Sequence, residues 1–138
     1  MGAPRVNLAI SLNATTDRVR DMLMPINKIY PLKSLIDACR IFPLEPRRRI
    51  TFEYVMLNGI NDSAADARRL ITLLTGIPSK VNLIPFNPYE GCGFRRPSDE
   101  TVLTFQKILL DARMTTLIRK SKGQDILAAC GQLKAGYP

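Results

Sequence analysis

The segment from Ile50 to Leu57 is the strongest constraint on the fold, because it is apolar almost throughout and is broken only by Thr51 and Glu53. A strand with hydrophobic side chains on both sides of its pleat must be buried on both faces, as in a parallel sheet. The other segments fit around it. Val6 to Asn13 alternates, with Val6, Leu8, Ile10 and Leu12 on one side and Asn7, Ala9, Ser11 and Asn13 on the other, which predicts a strand with one apolar and one small, polar face. Lys80 to Phe86 and Met114 to Arg119 supply two further strands.

Helical patterns separate these strands. Thr15 to Met24 reads as a short helix ended by Pro25, followed by a loop from Pro25 to Tyr30. Between Pro31 and Phe42, Leu32, Leu35, Ile36 and Cys39 share one helical stripe, which assigns Cys39 to the core. Ser63 to Thr75 has Asp62 or Ser63 as its cap and Gly76 as its stop. Ser98 caps a last helix with Val102, Phe105, Leu109 and Ala112 on its inner side. Connections this long exclude hairpins, so the chain is read as α/β, a parallel sheet of about four strands with alternating helices and right-handed crossovers. Ligands of such sheets lie at the carboxyl ends of the strands.

The 138 residues make one domain of ordinary size, with residues 5–138 as its body and residues 1–4 as a truncated or artificial start. No apolar run has the length of a membrane span, and the reading is of a soluble, cytoplasmic protein. Twenty Lys and Arg against twelve acids give a net charge of +8, which suits a polyanionic partner. There is no histidine, so His-based triads and His-ligated metal sites are excluded. Three scattered cysteines, Cys39, Cys92 and Cys130, form neither a disulfide framework nor a Cys-x-x-Cys site.

Nucleophilic work would then fall to Cys130, set between Ala129 and Gly131 in the stretch Asp125 to Leu133; a buried structural thiol in a final helix is the alternative. Glu53 either points into a polar cavity or pairs with an arginine. Asn87, held between Pro85-Phe86 and Pro88, either offers an amide to a ligand or forms a turn. Arg95, Arg96, Arg119, Lys120 and Lys122 fall at the ligand end, where they form either a phosphate grip or a solvated rim. Arg47, Arg48 and Arg49 fall at the opposite end.

Five stretches carry a family resemblance: Leu-Ala-Ile-Ser-Leu-Asn-Ala from Leu8, Pro-Ile-Asn-Lys from Pro25, Glu-Tyr-Val-Met-Leu from Glu53, Asn-Leu-Ile-Pro-Phe-Asn-Pro from Asn82 and Ala-Ala-Cys-Gly-Gln-Leu from Ala128. Together they resemble the carboxyl-terminal part of radical S-adenosylmethionine (SAM) methyltransferases acting on carbon 2 of adenine in 23S rRNA and tRNA, the ribosomal large-subunit methyltransferase N family. The resemblance implies a partial (β/α)6 barrel in which Cys130 is methylated by one SAM and carries that methyl to RNA. It also implies a second SAM on a [4Fe-4S] cluster as the source of a 5′-deoxyadenosyl radical, and SAM contacts at Ser11, Leu12, Asn13 and Asn87. Many members carry His at the Asn13 position. The family's Cys-x-x-x-Cys-x-x-Cys is absent from this sequence, as is the amino-terminal RNA-binding region, so the expectation is a part that is inactive without its amino-terminal half. A noncatalytic RNA-binding module, an inactive fragment that self-associates through an open sheet edge, and methylation at carbon 8 are the competing readings.

Overall fold

A computed structural model describes residues 8–88 and 93–120. Four parallel strands run in sequential order, β1 (Ala9–Ser11), β2 (Ile50–Met56), β3 (Ser79–Pro85) and β4 (Thr115–Ile118). The intervening helices are α1 (Asp17–Leu23), α2 (Leu32–Ile41), α3 (Ala64–Leu74) and α4 (Asp99–Asp111). The parallel α/β sheet expected from the sequence is therefore present.

The main core lies on one face of the sheet. Ile50, Phe52, Tyr54 and Met56 of β2, with Val81 and Leu83 of β3, pack against Leu32, Ile36 and Cys39 of α2, Ala67, Leu70 and Leu74 of α3, and Val102, Phe105 and Leu109 of α4. Three helices on one side of four sequentially ordered parallel strands are the layering of a barrel wall. Cys39 is core as expected, and burial pushes its thiol pKa up. Ala112, expected on the inner stripe of α4, is instead its exposed C-cap, because the helix ends at Asp111.

Several boundaries differ by a few residues. The first strand is shorter than the alternating pattern suggests, since Asn13 turns the chain with φ of 60°. Pro25–Lys28 forms a 3-10 turn rather than a loop, held by the buried Asn27, whose amide donates to Asp17 and Asp21. Pro85 is accommodated inside β3 because β4 pairs only as far as Leu83, so its missing N–H falls beyond that ladder.

The start of α3 ties the sheet's first connection to its helical layer. Ser63 and Asp66 form a reciprocal capping box, and Asp66 also accepts hydrogen bonds from Thr15 (2.7 Å) and Arg69 (2.6 Å). Burial pushes the Asp66 carboxyl up, but the bonds from Thr15, Ser63 and Arg69 outweigh it and hold the pKa below its ordinary value. Asp17 is held low by the Leu32 amide and by Asn27. Both groups are more acidic folded than unfolded, so their stabilisation is present above the unfolded carboxylate value, about 4, and is lost as pH falls through their folded values. Melting temperatures measured from about pH 7 to about pH 3 should accordingly drop mainly below about pH 4.5, and Asp66→Asn should flatten part of the drop. A pH-independent melting temperature would contradict the assignment.

Candidate functional site

Alternation along each strand sends the remaining side chains to the opposite face, which α2, α3 and α4 leave uncovered. Strand register orders them in rows. Ala9, Thr51, Lys80 and Thr115 form one row, and Ser11, Glu53, Asn82 and Leu117 form the next row toward the carboxyl ends. Above them Val55 and Ile84, with Leu57 and Phe86, are covered by Val19 and Leu23 of α1 and by Phe94. Phe86 and Phe94 meet edge to face, with centroids 5.9 Å apart. A small apolar plug thus sits at the strand ends, over a polar floor.

The mouth of this face is built by long-range polar contacts. Arg20, buried on α1, donates from Nε to the Leu12 carbonyl (3.0 Å), from Nη2 to the Ser11 carbonyl (3.1 Å) and from Nη1 to Asn27 Oδ1 (2.9 Å). Burial lowers its guanidinium pKa, offset by Asp17 and Asp21. Asn61 joins the ends of β1 and β2: its Oδ1 accepts from the Leu57 amide, and its Nδ2 donates to the carbonyls of Val55 and Asn13. Tyr54, fully buried, donates its hydroxyl to the Asn61 carbonyl (2.7 Å). Neither Arg20 nor Asn61 stands out in the sequence as a site residue; the only signal for Asn61 is its position one strand-length from Glu53 in a turn.

The sequence-derived site residues divide between exposed and structurally committed positions. Ser11 is exposed at the end of β1 on the polar face, and its hydroxyl makes no hydrogen bond among the described residues. The Leu12 side chain is wholly buried in the main core, its amide donates to the Glu53 carbonyl and its carbonyl is held by Arg20. With the amide committed as well, the one polar feature of Leu12 left for a ligand is the second lone pair of its carbonyl. Asn13 Oδ1 accepts from the Val55 amide (2.9 Å), which extends the β1–β2 ladder past the turn and leaves Nδ2, 3.5 Å from the Met24 sulfur, as its donor. Asn87 is exposed just beyond β3, with no hydrogen bond among the described residues. Cys130, the expected helix from Gln124 to Leu133, Lys122 and Cys92 lie outside the described residues.

Glu53 is half-buried and pairs with no arginine among the described residues, so the ion-pair alternative is not realised there. Its row neighbour Asn82 has a buried Oδ1 with no hydrogen-bond partner. An orphaned acceptor beside an uncompensated carboxylate fits a ligand rich in N–H and O–H groups, which SAM is. A [4Fe-4S] cluster is not fitted: no group of three or more His, Cys, Asp or Glu among the described residues could hold a metal, and Cys39 is buried. At the same end Arg95, Arg119 and Lys120 are exposed, while Arg96 pairs with Asp99 at 3.0 Å. At the opposite end Arg47, Arg48 and Arg49 are exposed, Arg49 donating to Thr115 Oγ1. No described helix is long and apolar enough to cross a membrane.

Comparison with known proteins agrees with this arrangement. No family model matches the chain. The dual-specificity RNA methyltransferase RlmN of Pelobacter propionicus is 60% identical over 131 residues, covering 95% of this chain and 38% of that protein. That of Geobacter sulfurreducens is 61% identical over 129 residues, covering 94% of this chain and 36% of that protein. The crystal structure of a radical SAM methyltransferase from Sphaerobacter thermophilus superposes with a TM-score of 0.81 at 48% identity, over 93% of this chain and 38% of that one. A domain of pyruvate-formate lyase-activating enzyme from Bacteroides vulgatus shares the fold, with a TM-score of 0.62 at 19% identity. The chain spans between a third and two fifths of the length of these RlmN relatives, and along nearly all of its own length it is homologous to RlmN dual-specificity RNA methyltransferases.

Proposed function

We propose that this chain is the carboxyl-terminal, SAM-binding and methyl-carrying part of a radical SAM methyltransferase that modifies carbon 2 of adenine in 23S rRNA and tRNA in the cytoplasm. The observation that carries the reading is identity of about 60% to RlmN enzymes sustained over 95% of the chain, rather than over one motif. The polar sheet face supports it, since its orphaned acceptor suits a donor-rich nucleoside. SAM, when bound, supplies the methyl group. Ser11 and Asn87 offer side chains to it at the strand ends, Leu12 the second lone pair of its carbonyl, and Asn13 the N–H groups of its amide. Cys130 accepts the methyl on its sulfur and presents it to adenine. The exposed Arg95, Arg119 and Lys120 at the same end supply contacts to RNA phosphates.

The cluster ligands would come from the part of an RlmN-length protein that this chain does not match. Mixing this chain with a cluster-loaded amino-terminal half of a relative should therefore restore methylation of 23S rRNA, read as methyladenosine by mass spectrometry. Correctly folded halves that bind each other without forming product would refute the proposal. The noncatalytic basic RNA-binding module finds no comparable support, since the matched relatives are named as methyltransferases.

A further inference from the structure

No ligand atom has yet been assigned to Glu53 or Asn82, and among the described residues Asn82 Oδ1 is the buried side-chain acceptor without a partner. The two residues are directly opposite in the β2–β3 register, and Ser11 is the partner of Glu53 on the other side. Adjacent strands are about 4.8 Å apart, so the three side chains rise from the same face within reach of one small group. Glu53 brings two acceptor oxygens and no donor. Asn82 Oδ1 is buried and receives no hydrogen bond. Lys80, on the same face, forms no ion pair with Glu53 among the described residues. A buried carbonyl without a donor is costly, and a half-buried carboxylate beside it compounds the cost.

We infer that Glu53 and Asn82 receive the vicinal hydroxyls of a ribose, that of the SAM nucleoside, an inference that rests on the function proposed above. A cis-diol presents two O–H donors side by side, which a carboxylate takes together or shares with a neighbouring carbonyl. An acid accepting from a ribose hydroxyl is the same chemistry that dinucleotide-binding sheets use. Ser11 closes the row with a hydroxyl that both donates and accepts. Because the demand is for donors, an ammonium is the competing occupant, and the probes separate the two.

The test titrates this chain with SAM, adenosine and 2′-deoxyadenosine, followed by amide chemical shifts. Adenosine should bind about tenfold more tightly than 2′-deoxyadenosine, the ratio expected for one hydrogen bond to a charged acceptor. Glu53→Gln should weaken SAM and adenosine about tenfold and narrow the difference between adenosine and 2′-deoxyadenosine. Asn82→Leu should weaken SAM while raising the melting temperature of the unliganded chain by about 3 °C, because it removes the orphaned carbonyl. A merely structural role for Asn82 would lower that temperature. Equal binding of SAM by the parent, Glu53→Gln and Asn82→Leu overturns the inference and leaves the proposed function standing, as does equal binding of the two nucleosides. No SAM binding by the folded parent chain overturns both.

Discussion

Replacement of Arg20 by methionine is expected to lower folding stability by about 3–5 kcal/mol, a large share of what a domain of this size has. Arg20 is 5% exposed, and its guanidinium serves three acceptors, two of them the consecutive carbonyls of Ser11 and Leu12 at the end of β1. Methionine matches the length but donates nothing. It would leave those carbonyls and Asn27 Oδ1 without their donors and Asp17 and Asp21 without their neighbouring cation. Lysine should recover less than half of the loss, since one ammonium cannot span the fork that three acceptors in different directions require. Urea unfolding of the parent and both variants measures this. A loss below about 1 kcal/mol would mean that water replaces the guanidinium at the strand end.

The largest functional effect is expected from Cys130→Ala in the reconstituted enzyme. If the methyl passes through that sulfur, alanine leaves no carrier, and methyladenosine should fall by at least about a thousandfold, to background. SAM binding by the variant should match that of the parent, because the assigned SAM contacts lie elsewhere. Product formation within about tenfold of the parent would assign the thiol a structural role instead.

How much of the fold and site is legible in the sequence depends on how far each residue's partners lie along the chain. Ser63 and Ser98 bond to amides three residues on, so local rules identify both helix starts. The apolar run of β2 announces a strand buried on both faces whatever its neighbours are. Arg20 and Asn61 are silent in the sequence for the opposite reason. Asn61 reaches Asn13, 48 positions away, and Arg20 closes on β1 only because α1 folds back over the strand ends. Glu53 is the anomaly of its strand in sequence alone, but the choice between cavity and ion pair needs the register that sets Asn82, not an arginine, beside it. For Leu12 the sequence located the position but not the means, since its side chain is committed to the core.

The turn at Asn13 determines which residues can exchange there. Its φ of 60° favours asparagine, aspartate, histidine or glycine, and the Val55 amide requires an acceptor two bonds beyond Cβ. Histidine Nδ1 occupies the place of asparagine Oδ1, so an Asn13→His variant can make the same bridge from the neutral tautomer protonated on Nε2. Such a bridge is broken when the ring takes a second proton near pH 6.5. With an amide instead, this chain keeps the join between its first two strands intact through mildly acidic conditions.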